Sequence, residues 1–294
     1  MRLVSYRSQD RWRVGAVLGS AVHDVDHALT GNGRPGLAPA TTRELLRRYG
    51  DVLDEVDAAV RRAAAELPSA RVGEVTDLHL GPPVDDPQKV LCIGLNYDDH
   101  VAETGRALPA HPDVFAKFAS TLLGPGDEIH CSQVTDNLDF EGELAVVIGR
   151  TGRDVEPGAA LDLVAGVMVL NDITARDLQY RGTQWLAGKA VDASTPCGPA
   201  LVTLDEVGDP QNLELETRVN GVRMQRSNTK HMIFPIAYLV SYVSRFLTLS
   251  PGDVISTGTP KGIGSKRNPP QWLRPGDVVE VEVERVGTLR NTVR

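Results

Sequence analysis

Cysteine is scarce in this chain of 294 residues: Cys92, Cys131 and Cys197 are odd in number, far apart and form no Cys-x-x-Cys pair. That excludes a disulfide scaffold and a zinc ribbon, and it points to a reducing, cytoplasmic setting. No apolar run approaches the ~20 residues needed to cross a bilayer, and Met1–Asp10 contains no signal-peptide core, so no membrane partner is expected. The formal net charge of −8 and the lack of any Lys/Arg cluster argue against nucleic acid. Gly-x-x-x-x-Gly-Lys is missing, which removes the P-loop fingerprint. Without Gly-x-Ser-x-Gly a serine hydrolase is disfavoured too, and the seven histidines are not read as a zinc hydrolase site.

What remains is an ordinary globular composition, 41% hydrophobic and 24% charged. Residues 1–80 read as a small α/β module. Short strands are expected at Arg2–Tyr6, Arg13–Leu18 and Ala21–Val25, followed by a helical stretch over Thr41–Leu67 with Thr42 as its N-cap and a division at Gly50. The proline-rich run at residues 81–88 reads as a linker. Beyond it, residues 89–294 change to short apolar strands punctuated by Gly/Pro turns, with one helix at Pro235–Leu247. The predicted fold class is therefore α+β, mostly β, rather than an alternating βαβ sheet.

The chemistry concentrates in carboxylates. Glu141 and Glu143 sit at i and i+2 on a predicted strand and share a face, and Asp172 ends another apolar strand. Alternating glutamates often mark a solvated face, as expected for Val279–Glu284. Here, however, the following residues Leu144–Ile148 are apolar throughout. Acidic side chains converging beside a core are costly without a positive partner, and an all-oxygen set suits a hard cation, Mg²⁺ before Ca²⁺ or Mn²⁺. Upstream, His100 and Glu103 lie three apart on a short predicted helix that opens with Asp98 and Asp99 and stops at Gly105. A carboxylate beside an imidazole raises its basicity and fixes its orientation, as a general base requires. Arg176, Gln179, Lys189 and Thr259 stand in segments able to bind or stabilise an anion.

Taken in order, Gly94-Leu-Asn-Tyr-Asp-Asp-His100, Asp139-Phe-Glu-Gly-Glu143, Asn171-Asp-Ile-Thr-Ala-Arg-Asp-Leu-Gln179, Gly188-Lys189, Val219-Asn-Gly221, Met232-Ile-Phe234 and Thr257-Gly-Thr-Pro-Lys-Gly-Ile-Gly264 resemble the motif series of the fumarylacetoacetate hydrolase family over residues 88–294. The resemblance implies a β-roll catalytic domain, usually a homodimer, with Mg²⁺ or Mn²⁺ on Glu141, Glu143 and Asp172. It further implies His100 as general base with Glu103 as partner, and Arg176, Gln179, Lys189 and Thr259 as substrate contacts. Leu95 stands where many relatives carry Arg, and Gly142 where a bulkier residue is common. The expected reaction is hydrolysis of a carbon–carbon bond in a 2,4-dioxo acid of the acylpyruvate type, with charge stabilisation by the cation and Lys189. The competing readings are an oxaloacetate-type decarboxylase, a hydroxymuconate-type isomerase or decarboxylase, and a non-catalytic binding protein with a structural cation.

Overall fold

The apolar run behind Glu143 forms the strand Gly142–Ile148, every residue of which is buried. A strand covered on both faces reads as a continuous apolar run, and two hydrophobic cores account for this one. Leu144, Val146 and Ile148 enter a core shared with Leu239, Val240 and Val243 of the helix Ile236–Ser244. Ala145 and Val147 enter a second core with Leu45, Leu46, Val56 and Val60 of the N-terminal helices. The computed structural model describes residues 1–31, 39–130 and 134–294; Cys131 lies outside them.

The central sheet runs in the order Arg71–Glu74, Ala21–Asp24, Arg11–Leu18, Arg2–Ser8, Thr195–Thr203, Val164–Asn171, Gly142–Ile148, Val254–Ser256, Val90–Gly94 and Asp113–Lys117. The N-terminal strands thus extend the sheet of the later residues, with Leu3 opposite Leu201. Leu80–Gly81, where the proline-rich run begins, pairs with Tyr6 and Ser5. A second sheet, Val222–Asn228, Glu214–Val219, Val278–Val283, Gly287–Val293 and Glu128–Ile129, packs on the first core. In it Val279, Val281 and Val283 point inward and the intervening glutamates outward, as alternation predicts. The architecture is α+β with strands dominant, and among the described residues no helix is long and apolar enough to cross a membrane.

Local details depart from expectation for identifiable reasons. The helical stretch does divide at Gly50, into Thr42–Tyr49 and Leu53–Glu66. A Cβ at Gly50 would lie 2.2 Å from the Gly149 carbonyl oxygen, so the chain passes too close for a side chain. The N-cap is Thr41, not Thr42: its hydroxyl accepts the Glu44 N–H at 3.2 Å, while the Glu44 carboxylate accepts the N–H of the preceding Ala40 at 2.7 Å. Val25 begins a helix, Val25–Gly31, instead of ending a strand. His23 and His27, spaced four apart, therefore fall on a strand and the helix after it rather than on one helical face.

Candidate active site and metal centre

Two adjacent strands bring the three carboxylates together. Gly142 pairs with Asn171, so Glu141 and Asp172 sit side by side at the sheet end. Glu141 precedes the strand instead of lying on it; its carbonyl accepts the Asp172 N–H at 2.8 Å, and its N–H donates to Asn171 Oδ1 at 3.0 Å. One oxygen from each of Glu141, Glu143 and Asp172 falls within 4.8 Å of the others, and all three residues are buried. Gly142 between them is sterically required: a Cβ there would meet Thr217 Oγ1 at 2.1 Å, where the second sheet presses on the first.

Three buried cations answer these charges. Lys189 Nζ donates to Glu141 Oε2 and Asp172 Oδ2, each at 2.7 Å. Lys117 Nζ donates to Asp172 Oδ1 at 2.6 Å and to the Ile173 carbonyl. Arg176 spends Nε on Asp139 (2.8 Å), Nη2 on Glu141 (2.6 Å) and Nη1 on Gln179 (3.0 Å). Burial works against the Glu141 anion, but Lys189 and Arg176 hold its carboxyl down at about 2. Burial also works against the Lys189 cation, yet Asp172 and Glu141 raise its pKa above the ordinary lysine range.

Among the described residues Glu143 is left without a cation partner. Its Oε2 accepts only neutral donors, the Ser256 hydroxyl and the Gly258 N–H. Burial, then Asp172 and Glu141, push its carboxyl from 4.5 up to about 8. The cluster is short of positive charge at the point where its three oxygens converge. A divalent cation bound by Glu141, Glu143 and Asp172 would supply that charge, so the donor set fits a hard metal ion.

The predicted helix forms over Asp98–Thr104 and ends at Gly105, whose φ of 71° closes it. His100 Nδ1 meets Glu103 Oε1 at 2.8 Å, leaving Nε2 for the cavity that His100 lines. Glu103 also accepts the Gly262 N–H with both oxygens, at 3.1 and 3.0 Å. The dyad is thereby fastened to the loop that carries Thr259. Thr259 lines the same cavity, but its hydroxyl already donates to the Gly142 carbonyl and accepts from Gln225 Nε2.

His100, Glu141, Glu143, Asp172, Arg176, Gln179, Lys189 and Thr259 all border one cavity of about 40 Å³, with Glu103 behind His100. Arg176 retains two of its five N–H groups for a ligand. Leu95, in the left-handed region at φ 56°, adds an apolar wall. A wider outer cavity of about 540 Å³ adjoins through Arg106, Phe115, Tyr180 and Trp185, which line both. Sequence reading missed Lys117, Asp139 and Arg106. Lys117 carried no local signal because its partner Asp172 comes from a distant segment, and Asp139 stood in a quoted motif without a role because Arg176 lies equally far along the chain.

The family model for the fumarylacetoacetate hydrolase C-terminal region matches residues 89–294. The chain belongs to the fumarylacetoacetate hydrolase family. Human "Oxaloacetate tautomerase FAHD2A, mitochondrial" is 42% identical over 295 residues, spanning 100% of this chain and 91% of that protein. A "2,4-didehydro-3-deoxy-L-rhamnonate hydrolase" of Sphingomonas sp. (strain SKA58) is 43% identical over 267 residues, 90% of this chain and 93% of the relative. The solved maleylpyruvate hydrolase of Sphingobium sp. SYK-6, in complex with manganese(II) and pyruvate, aligns at TM-score 0.79 and 29% identity over 100% of this chain and 98% of that one. The family thus contains hydrolases and tautomerases on this fold, and a manganese-containing neighbour agrees with the buried acidic cluster in supporting a divalent metal.

Proposed function

We propose that this family member is a Mg²⁺-dependent hydrolase that cleaves the carbon–carbon bond of a 2,4-dioxo acid of the acylpyruvate type. The observation that carries this reading is the His100–Glu103 pair, held at 2.8 Å on the wall of the same cavity as the three carboxylates. Glu141, Glu143 and Asp172 would hold the cation, which when bound supplies a chelation point for the 2-oxo acid and offsets negative charge. His100 Nε2 takes a proton from water while Glu103 steadies the imidazole. The resulting hydroxide adds to the C4 carbonyl, and the C3–C4 bond breaks. C4 leaves as a carboxylic acid, and the electron pair stays on the pyruvate fragment as an enolate until His100 returns the proton to C3. Lys189 uses two N–H groups on Glu141 and Asp172, and its third is free for the developing negative charge.

A second reading, oxaloacetate tautomerisation, is favoured by the 42% identity to the human tautomerase across the whole chain. The same base and ammonium would move a proton between C3 and oxygen without breaking a carbon–carbon bond. A Mg²⁺-supplemented screen of acylpyruvates and oxaloacetate separates the two. Loss of diketo-acid absorbance with stoichiometric pyruvate release supports hydrolysis. Enol–keto interconversion of oxaloacetate with no carbon fragment released supports tautomerisation. Glu141→Gln serves as the control in both arms, and silence across the panel would reject both.

A further inference from the structure

The outer cavity has a cation at its border with no assigned partner. Arg106 follows the dyad helix directly, and its N–H returns to the Val101 carbonyl at 3.4 Å, so the helix terminus fixes where the side chain starts. Its guanidinium lies 5.3 Å from the centre of the Trp185 ring. Trp185 packs edge-on against Phe115 at 5.6 Å, and Phe115 in turn carries the Lys189 ammonium at 5.2 Å. Cation, ring, ring and cation thus run in series from the mouth to the centre. Trp185 is held close on its other side too, since a Cβ on Gly94 would come within 2.6 Å of it.

The two ends of this series differ in one respect. Lys189 is neutralised by Glu141 and Asp172, whereas Arg106 makes no ion pair with any described residue. Asp113 is the one carboxylate lining the outer cavity, and it forms no ion pair with Arg106. Contact with the Trp185 ring places the guanidinium and leaves its N–H groups without an acceptor among the described residues. That arrangement is suited to a planar anion.

We propose that Arg106 is a specificity-determining residue that receives a carboxylate at the far end of the substrate. The site would then select dioic 2-oxo acids over those with a neutral acyl tail. This rests on the proposed function, in which the 2-oxo acid end lies among Glu141, Glu143, Asp172 and Lys189. From there the remainder of the molecule reaches the outer cavity past the residues that line both, Arg106 among them.

The test compares acetylpyruvate, whose tail is a methyl group, with fumarylpyruvate, whose tail ends in a carboxylate, in wild type, Arg106→Gln and Arg106→Lys. Losing a charge-assisted hydrogen bond should lower the kcat/KM ratio of fumarylpyruvate over acetylpyruvate by about 10- to 100-fold in Arg106→Gln, chiefly through KM. Arg106→Lys should recover part of it. An unaltered ratio, or equal losses on both acids, overturns the proposal, because a residue that merely held the helix would penalise both alike. Calorimetric binding of the same two acids to the Mg²⁺-loaded proteins, each also carrying His100→Ala to suppress cleavage, gives the ratio without turnover. If wild type turns over neither acid, the hydrolase reading falls, while the binding ratio still decides the role of Arg106.

Discussion

Lys117 donates to Asp172 at 2.6 Å with both side chains wholly buried. An ammonium and a carboxylate in that setting are each costly alone, and removing Lys117 leaves Asp172 Oδ1 without its donor while Lys189 still holds Oδ2. Lys117→Met should therefore cost about 1–3 kcal/mol in urea unfolding, more than an exposed pair would. A loss under ~1 kcal/mol would mean that water reaches the pair.

Glu143 ties metal binding to pH. Its carboxyl is raised from 4.5 to about 8 in the folded protein, so the stability it contributes is complete below pH 4.5 and lost as pH rises through about 8. The metal-free protein should accordingly lose stability across that window, and Glu143→Gln should flatten the slope. Cation binding has to displace this proton. The Mg²⁺ or Mn²⁺ affinity should tighten by up to about tenfold per pH unit and level off above about pH 8. Titration calorimetry in buffers of different ionisation enthalpy would count the released proton; an affinity independent of pH between 6 and 8 would contradict the assignment. Glu141 has the opposite sign: lowered to about 2, it stabilises above pH 4.5 and its contribution disappears as pH falls through about 2.

His100→Ala should reduce turnover by on the order of 10²- to 10⁴-fold while cation affinity, measured by calorimetry, stays at the wild-type value. Unchanged turnover would remove the dyad from the mechanism. Glu103→Gln should fall between the two, because an amide can still accept from Gly262 but no longer favours the imidazolium.

Gly142→Ala forces a methyl group against Thr217 Oγ1 and should cost about 1–3 kcal/mol. Thr217→Ala in the same chain should recover much of it, a coupling that thermal or urea unfolding would read directly.

Much of this was visible in the bare chain wherever the determinant was local. The strands around 142–148 and 164–171, the Gly105 stop and the His100–Glu103 spacing all follow from period and propensity over a few residues. The opaque parts depend on which strands lie next to each other. Lys117 reads as the last residue of a strand, and only the placement of that strand beside Val90–Gly94 brings it under Asp172. Arg176 reads as an anion receptor, but Asp139, Glu141 and Gln179 take three of its donors. The N-terminal strands read as a module of their own, since no local pattern announces that Leu3 lies opposite Leu201.

Glu103 holds two things with one carboxylate: the His100 ring and the Gly262 amide. Lifting the helix would therefore release the loop and let the imidazole swing at the same moment. Orientation of the proposed base and docking of its helix thus share one carboxylate, so neither can be loosened without the other.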